Sequence, residues 1–161
     1  MLIFSAKRES DLNLWKVVDD RVMGGVSKGK VNLDDQGFLV FEGYVSLEND
    51  GGFTSVHLDT GLLDVSHFSR VKLRVKGDGK RYQFRLKSDL NDNYAYVKFF
   101  DTSGQWQDLE MHLSEFIPRF RGKSMDLPAF DKKKVEQIAF LIANKSEEDF
   151  KLTIDEIELI E

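Results

Sequence analysis

The sequence predicts an all-β fold, an antiparallel jelly-roll sandwich with one or two short helical turns. Three observations carry that expectation. Apolar and polar residues alternate with period two along much of the chain, as a strand with one buried face requires. Clusters of Asn, Asp, Ser and Gly interrupt the alternation at short intervals, as turns between brief strands do. Helical periodicity is nearly absent, and neither heptads nor a repeat of fixed period occurs.

The early strand candidates are Lys30–Leu33, Gly37–Leu47 and Gly52–Asp59, divided by loops at Asp34–Gly37 and Glu48–Gly51. Next, Val71, Leu73 and Val75 alternate with Arg70, Lys72, Arg74 and Lys76. Gly77-Asp78-Gly79 follows, a tight turn in which glycine reaches positive φ without steric cost. Beyond it Tyr82, Phe84 and Leu86 alternate with Arg81, Gln83, Arg85 and Lys87, so the two stretches are expected to form a β-hairpin with one basic face.

Tyr94–Phe100, Gln105–Leu113, Glu136–Ala143 and Phe150–Ile160 bring the total to about nine strands. Ile138–Ala143 is apolar on both parities, which suits a central strand covered on both faces. In the last strand Leu152 and Ile154 share one parity while Ile157 and Leu159 share the other; a bulge near Asp155-Glu156 would turn all four toward the core. Ser114 is placed to cap a short turn through Phe116 that Pro118 stops, and Asp131 to cap another through Lys134.

The 161 residues are expected to form one domain, 1–161, and 41% hydrophobic residues supply its core. The net charge of −5 argues against a grip on bulk nucleic acid or anionic membrane, since both demand a basic excess. The longest apolar run, Ile138–Ala143, is too short to cross a bilayer, so no membrane insertion is expected. With no cysteine, thiol catalysis, thiolate metal sites and disulfides are excluded. No signal peptide is readable in Met1–Ser10, and the expected compartment is the cytoplasm.

No catalytic constellation is visible. His57, His67 and His112 lie in separate segments without zinc-site spacing, and structural or surface roles are expected for them. The carboxylate pairs Asp19-Asp20 and Asp34-Asp35 are read as solvated or structural, because neighbours on a strand point to opposite faces. Asp19, Asp20 and Asp59 match no calcium loop, and no cofactor or metal is expected. Tyr94, Tyr96, Trp15 and Trp106 would stack on sugars if exposed on a concave sheet face, the basis of a carbohydrate-binding alternative.

One pattern is more particular. Trp15-x-x-Val18-x-Asp20-x-Val22-Met23-Gly24-Gly25-Val26-Ser27 precedes Phe41-Glu42-Gly43-x-Val45-Ser46-Leu47-Glu48-Asn49-Asp50-Gly51-Gly52-Phe53. Together with Gly77-Asp78-Gly79, Tyr82, Phe116-x-Pro118-x-Phe120-Arg121-Gly122 and Ile138-x-Phe140-Leu141-Ile142-Ala143, it strongly resembles the complex I intermediate-associated protein family. Phe53-Thr54-Ser55-Val56-His57 departs from a pattern that in the family more often looks like Phe-Ala-Ser-Val-Arg. The resemblance implies a galactose-binding-like sandwich and a non-enzymatic, chaperone-like role in assembling respiratory complexes through a protein partner, with a glycan as the alternative ligand.

On that basis the candidate binding residues fall into three groups. Trp15, Asp20, Met23, Gly24, Gly25 and Ser27 belong to the first motif, Glu48 and Asn49 to the second. Arg85 and Arg121 offer donors for carboxylates or polar ligands, and Tyr94 and Trp106 offer rings. Fold maintenance is the competing role for both glycine motifs, with Trp15 as a plug and a buried Asp20 capping loop amides.

Overall fold

The computed structural model describes residues 1–161. Its first strands are β1 (Leu2–Ser5), β2 (Trp15–Asp19), β3 (Lys28–Leu33), β4 (Leu39–Val45), β5 (Thr54–Asp64) and β6 (Arg70–Lys76). They continue as β7 (Arg81–Lys87), β8 (Ala95–Asp101), β9 (Trp106–His112), β10 (Ile117–Phe120), β11 (Lys123–Ser124), β12 (Lys134–Ile142) and β13 (Glu148–Ile160). All pairings are antiparallel. One sheet runs β3-β4-β13-β6-β9, with β1 also pairing with β13; the other runs β11-β10-β8-β7-β12-β5-β2.

The sheets face each other across one hydrophobic cluster. Phe41, Leu73, Leu152 and Ile154 of the six-stranded sheet and Tyr82, Phe84, Ile138 and Phe140 of the seven-stranded sheet are fully buried. Several aromatic pairs meet edge-on or tilted, as their quadrupoles favour: Phe41 and Phe150 at 4.8 Å, Phe84 and Phe140 at 5.1 Å. Trp15 is part of this core, edge-on to Phe4 at 5.2 Å.

Both parities of β12 are buried from Ile138 to Ile142, and the strand lies between β7 and β5. The register between β13 and β6 slips between Ile154 and Glu156, which turns Ile154 and Ile157 both inward. Ser114 lies in a 3₁₀ turn, Leu113–Glu115, but Pro118 is inside β10 rather than beyond a helix. Asp131 caps nothing helical, because β12 begins at Lys134.

The expected hairpin is not formed. β6 pairs with β13 and β9 in one sheet, whereas β7 pairs with β8 and β12 in the other. Alternation specifies which face a strand buries; it does not specify the neighbour. The two strands carry the same apolar-in, basic-out pattern because each lines the core from its own side. Gly77 to Lys80 arches between the layers. A Cβ on Gly77 would stand 2.1 Å from Thr102 Cβ, so only glycine fits the crossing. The Thr102 hydroxyl fastens the arch, donating to the Lys80 carbonyl at 2.7 Å and accepting from the Gly79 amide at 3.1 Å.

The Glu48–Gly51 loop is likewise a crossover, from β4 in one sheet to β5 in the other, and not a hairpin. Asn49 and Asp50 take left-handed backbone, φ 56° and 59°, a conformation short polar side chains tolerate.

Candidate functional site

The two glycine-rich motifs meet at Asp20. Its side chain is buried, and its carboxylate accepts from the Ser27 amide at 2.9 Å, the Ser27 hydroxyl at 2.5 Å, the Gly52 amide at 2.6 Å and the Phe53 amide at 3.2 Å. Ser27 extends the knot by accepting from the Ser46 amide at 2.9 Å. Burial raises the Asp20 carboxyl, but the Ser27 hydroxyl and the three amides outweigh it and hold the group below its ordinary value. Asp19 is also buried and structural, accepting from the amides of Arg21 and Gly29.

The glycines are spaced to admit this carboxylate. A Cβ on Gly25 would stand 2.4 Å from Asp20 Oδ1, and one on Gly51 would stand 2.6 Å from Oδ2. Gly24, at φ 90°, closes the 3₁₀ turn Asp20–Met23 in left-handed backbone. Around the knot the chain exposes apolar side chains: Val22 is 72% and Met23 65% accessible, and Val26 and Leu47 are also exposed. Glu48 and Asn49 are exposed beside them.

A second feature lies on the outer face of the seven-stranded sheet. A pocket of about 220 Å³ is lined by His57, Arg85, Lys87, Tyr94, Arg119 and Arg121, with Asn93, Phe120 and Gln137 among the others. Arg85, Tyr94 and Arg121 are therefore brought together, whereas Trp106 is half-buried on β9 of the other sheet, against Phe38 at 4.8 Å and under Arg74. Tyr96 is core. The rings do not form one stacking platform.

Arg85 is half-buried, and its Nε is enclosed without a hydrogen-bond partner. Burial, with Arg119 nearby, pushes its guanidinium down to about 10, so it stays charged at neutral pH. His57 sits in a chain of polar contacts. Gln137 Nε2 donates to Asp59 at 2.8 Å, so Gln137 Oε1 faces His57 Nδ1 at 3.0 Å and accepts a hydrogen from it. The Ser55 hydroxyl gives its one hydrogen to the Val18 carbonyl at 2.5 Å, so His57 Nε2, at 2.9 Å, is placed to donate to Ser55. The network thus has room for a hydrogen on each ring nitrogen. Burial opposes that charge, as do Arg85 and Lys87, and the His57 pKa lies below its ordinary value despite the Gln137 bond.

His57, Lys87, Arg119 and Gln137 were not among the candidates from sequence. Lys87 and Arg85 share a strand parity, which was the available signal; Arg119 and His57 join them only through the pairing of β10, β8, β7, β12 and β5. No group of three or more His, Asp or Glu side chains converges as a metal site would require.

Two antiparallel layers, loops knotted at a rim and a polar pocket on one sheet face define a galactose-binding-like sandwich. Solved structures agree on the fold. The family 11 carbohydrate-binding module from Clostridium thermocellum, solved with a β-1,3-1,4-mixed-linked tetrasaccharide, superposes with a TM-score of 0.67 at 20% identity over 91% of this chain and 88% of that one. A segment of the agarase AgWH50C superposes with a TM-score of 0.65 at 14% identity, covering 98% of this chain and 24% of that one.

Residues 4–154 match the family Complex I intermediate-associated protein 30 (CIA30), and the chain belongs to that family. Complex I intermediate-associated protein 30, mitochondrial, from Mus musculus is 26% identical over 96% of this chain and 54% of its own length. The probable Caenorhabditis briggsae counterpart is 28% identical over 91% of this chain and 50% of its own. The chain thus spans about half the length of the curated relatives it matches. Those relatives are named as mitochondrial, which overturns the cytoplasmic expectation. The lack of a readable signal peptide in Met1–Ser10, on which it rested, marks no particular compartment.

Proposed function

We propose that this chain is a non-enzymatic protein-binding domain that acts, chaperone-like, on complex I subunits or assembly intermediates. Family membership supports the pathway. The observation that carries the binding mode is the exposed apolar set Val22, Met23, Val26 and Leu47, raised on segments that the Asp20 knot ties together. Exposed apolar side chains grouped on one rim suit a partner surface, and methionine adapts to irregular ones. Rigid backbone beneath them lowers the ordering cost of association.

Affinity capture from detergent-solubilised mitochondria of the source organism tests this reading. Wild-type chain is expected to retain complex I subunits, and V22D/M23D, both at exposed positions, to lose them at an unchanged Tm. Capture of no complex I subunit, or equal capture by the double variant, would refute it. The carbohydrate alternative draws on the fold likeness and on Tyr94 at the pocket wall. Saturable binding to a mixed-linked β-glucan, lost in Tyr94→Ala, would favour it instead.

A further inference from the structure

The two outer faces handle their cations differently. On the six-stranded sheet every basic residue of β6 but the last has a carboxylate in reach. Arg70 meets Glu110 at 2.8 Å, Lys72 meets Glu158 at 2.8 Å, and Arg74 meets Asp108 at 3.2 Å and Asp155 at 3.3 Å. On the seven-stranded sheet Arg81 is matched by Asp101 at 2.9 Å, but farther along β7 the matching stops. Arg85 lies opposite Ala139 and Val97, Lys87 opposite Gln137, and Arg119 opposite Ala95. None of Arg85, Lys87, Arg119 and Arg121 has a carboxylate within 4.0 Å. No carboxylate lines the pocket, and Asp59, which acts on His57, already accepts from Gln137.

Such an arrangement is unfavourable by itself. Like charges are gathered, and an enclosed guanidinium N–H lacks an acceptor, a state proteins rarely leave uncompensated. Acidic residues are in excess in this chain, at 28 against 23 basic, so the lack of one here is local.

We infer that this pocket binds a phosphate-type dianion, the phosphomonoester end of a small molecule, with Arg85 at its floor and Lys87, Arg119 and Arg121 around it. The dianion follows from the charge: one carboxylate would offset one of four cations, whereas a phosphate offsets two and offers three acceptor oxygens to planar guanidinium forks. A headgroup rather than a large ligand follows from size, since about 220 Å³ is below the range of drug-sized sites. Tyr94 and Phe120 line the same pocket and give the organic portion an apolar wall. The dianion also relieves the conflict at His57, whose hydrogen-bond network accommodates an imidazolium that Arg85 and Lys87 of β7, with Lys16 as cross-strand neighbour on β2, oppose. Asp59 faces this group from β5 through Gln137 of β12. A bound dianion is therefore expected to raise the midpoint at which His57 gains its proton.

Inorganic phosphate is the probe. Titrated at low ionic strength, it should bind the wild-type chain saturably at one site and shift the ring signals of His57, leaving His67 and His112 in place. Arg85→Gln should weaken binding by about tenfold or more, the usual worth of a charge-assisted bond. Arg121→Gln, at an exposed position, should weaken it several-fold, and Arg81→Gln, which removes an already paired cation, should leave it unchanged. No saturation by about 10 mM phosphate, a loss in Arg81→Gln equal to that in Arg85→Gln, or acetate binding as tightly as phosphate would overturn the assignment.

Discussion

The carboxylate of Asp20 accepts a hydrogen bond from the Gly52 amide at 2.6 Å, joining the two motifs through residues thirty-two apart. Through it the loop after β2 and the crossover between β4 and β5 become one unit, and the glycines around it exist to let a carboxylate approach backbone.

Asp20→Ala is expected to lower unfolding free energy by about 3 kcal/mol or more, because it strands the Ser27, Gly52 and Phe53 amides without an acceptor. Asp20→Asn, which keeps one acceptor oxygen, should cost less. Urea denaturation of the three proteins measures both values.

Gly25→Ala drives a methyl into the Asp20 carboxylate and is expected to cost about 1–3 kcal/mol. The effect acts through Asp20, so the double variant with Asp20→Ala should be destabilised by clearly less than the sum. A double-mutant cycle reads that coupling.

Acid should erode the knot in a defined direction. The folded Asp20 carboxyl is held below its ordinary value, so its contribution is full above the unfolded-state pKa of about 3.9 and is lost as pH falls through the lower folded one. The stability gap between wild type and Asp20→Asn should stay flat from neutral pH to about 5 and close below about 4. Denaturation midpoints across that range measure it.

His57 should titrate below its ordinary value of about 6.5, and Arg85→Gln should raise its midpoint by removing one of the charges opposing it. A depressed histidine binds its proton more readily in the unfolded chain. Its contribution to stability is therefore full above about pH 6.5 and declines as pH falls toward the folded value. Ring resonances followed by NMR give both midpoints.

Gly77→Ala should destabilise by about 1–3 kcal/mol through collision with Thr102, and Thr102→Ala should cost about 1 kcal/mol for the lost arch bonds. Thermal unfolding of the two single variants and the double variant separates steric from hydrogen-bond effects.

The sandwich was legible because inward parity was already written in residues such as Val71, Leu73 and Val75, and in the shift from Ile154 to Ile157 that demanded a bulge. Partnership was not. Arg70–Lys76 and Arg81–Lys87 carry interchangeable patterns, and the contacts that fasten the Gly77 arch come from Thr102, far along the chain. β2 and β10 went unread as strands because Trp15–Asp19 and Ile117–Phe120 are short and one contains proline. The buried Asp20 was foreseeable from glycines in both motifs. The Arg85 pocket depends on five strands lying side by side, an adjacency that no local pattern encodes.

The place of β13 has a consequence for how the molecule is made. Residues 148–160 slot between β4 and β6 and also receive β1, so the six-stranded sheet has no centre until they arrive. A nascent chain ending before Glu148 would hold β4 and β6 as two open seams with unpaired amides, each inviting foreign strands. Closure must therefore follow synthesis of that segment, a long-range pairing step of the kind that slows folding.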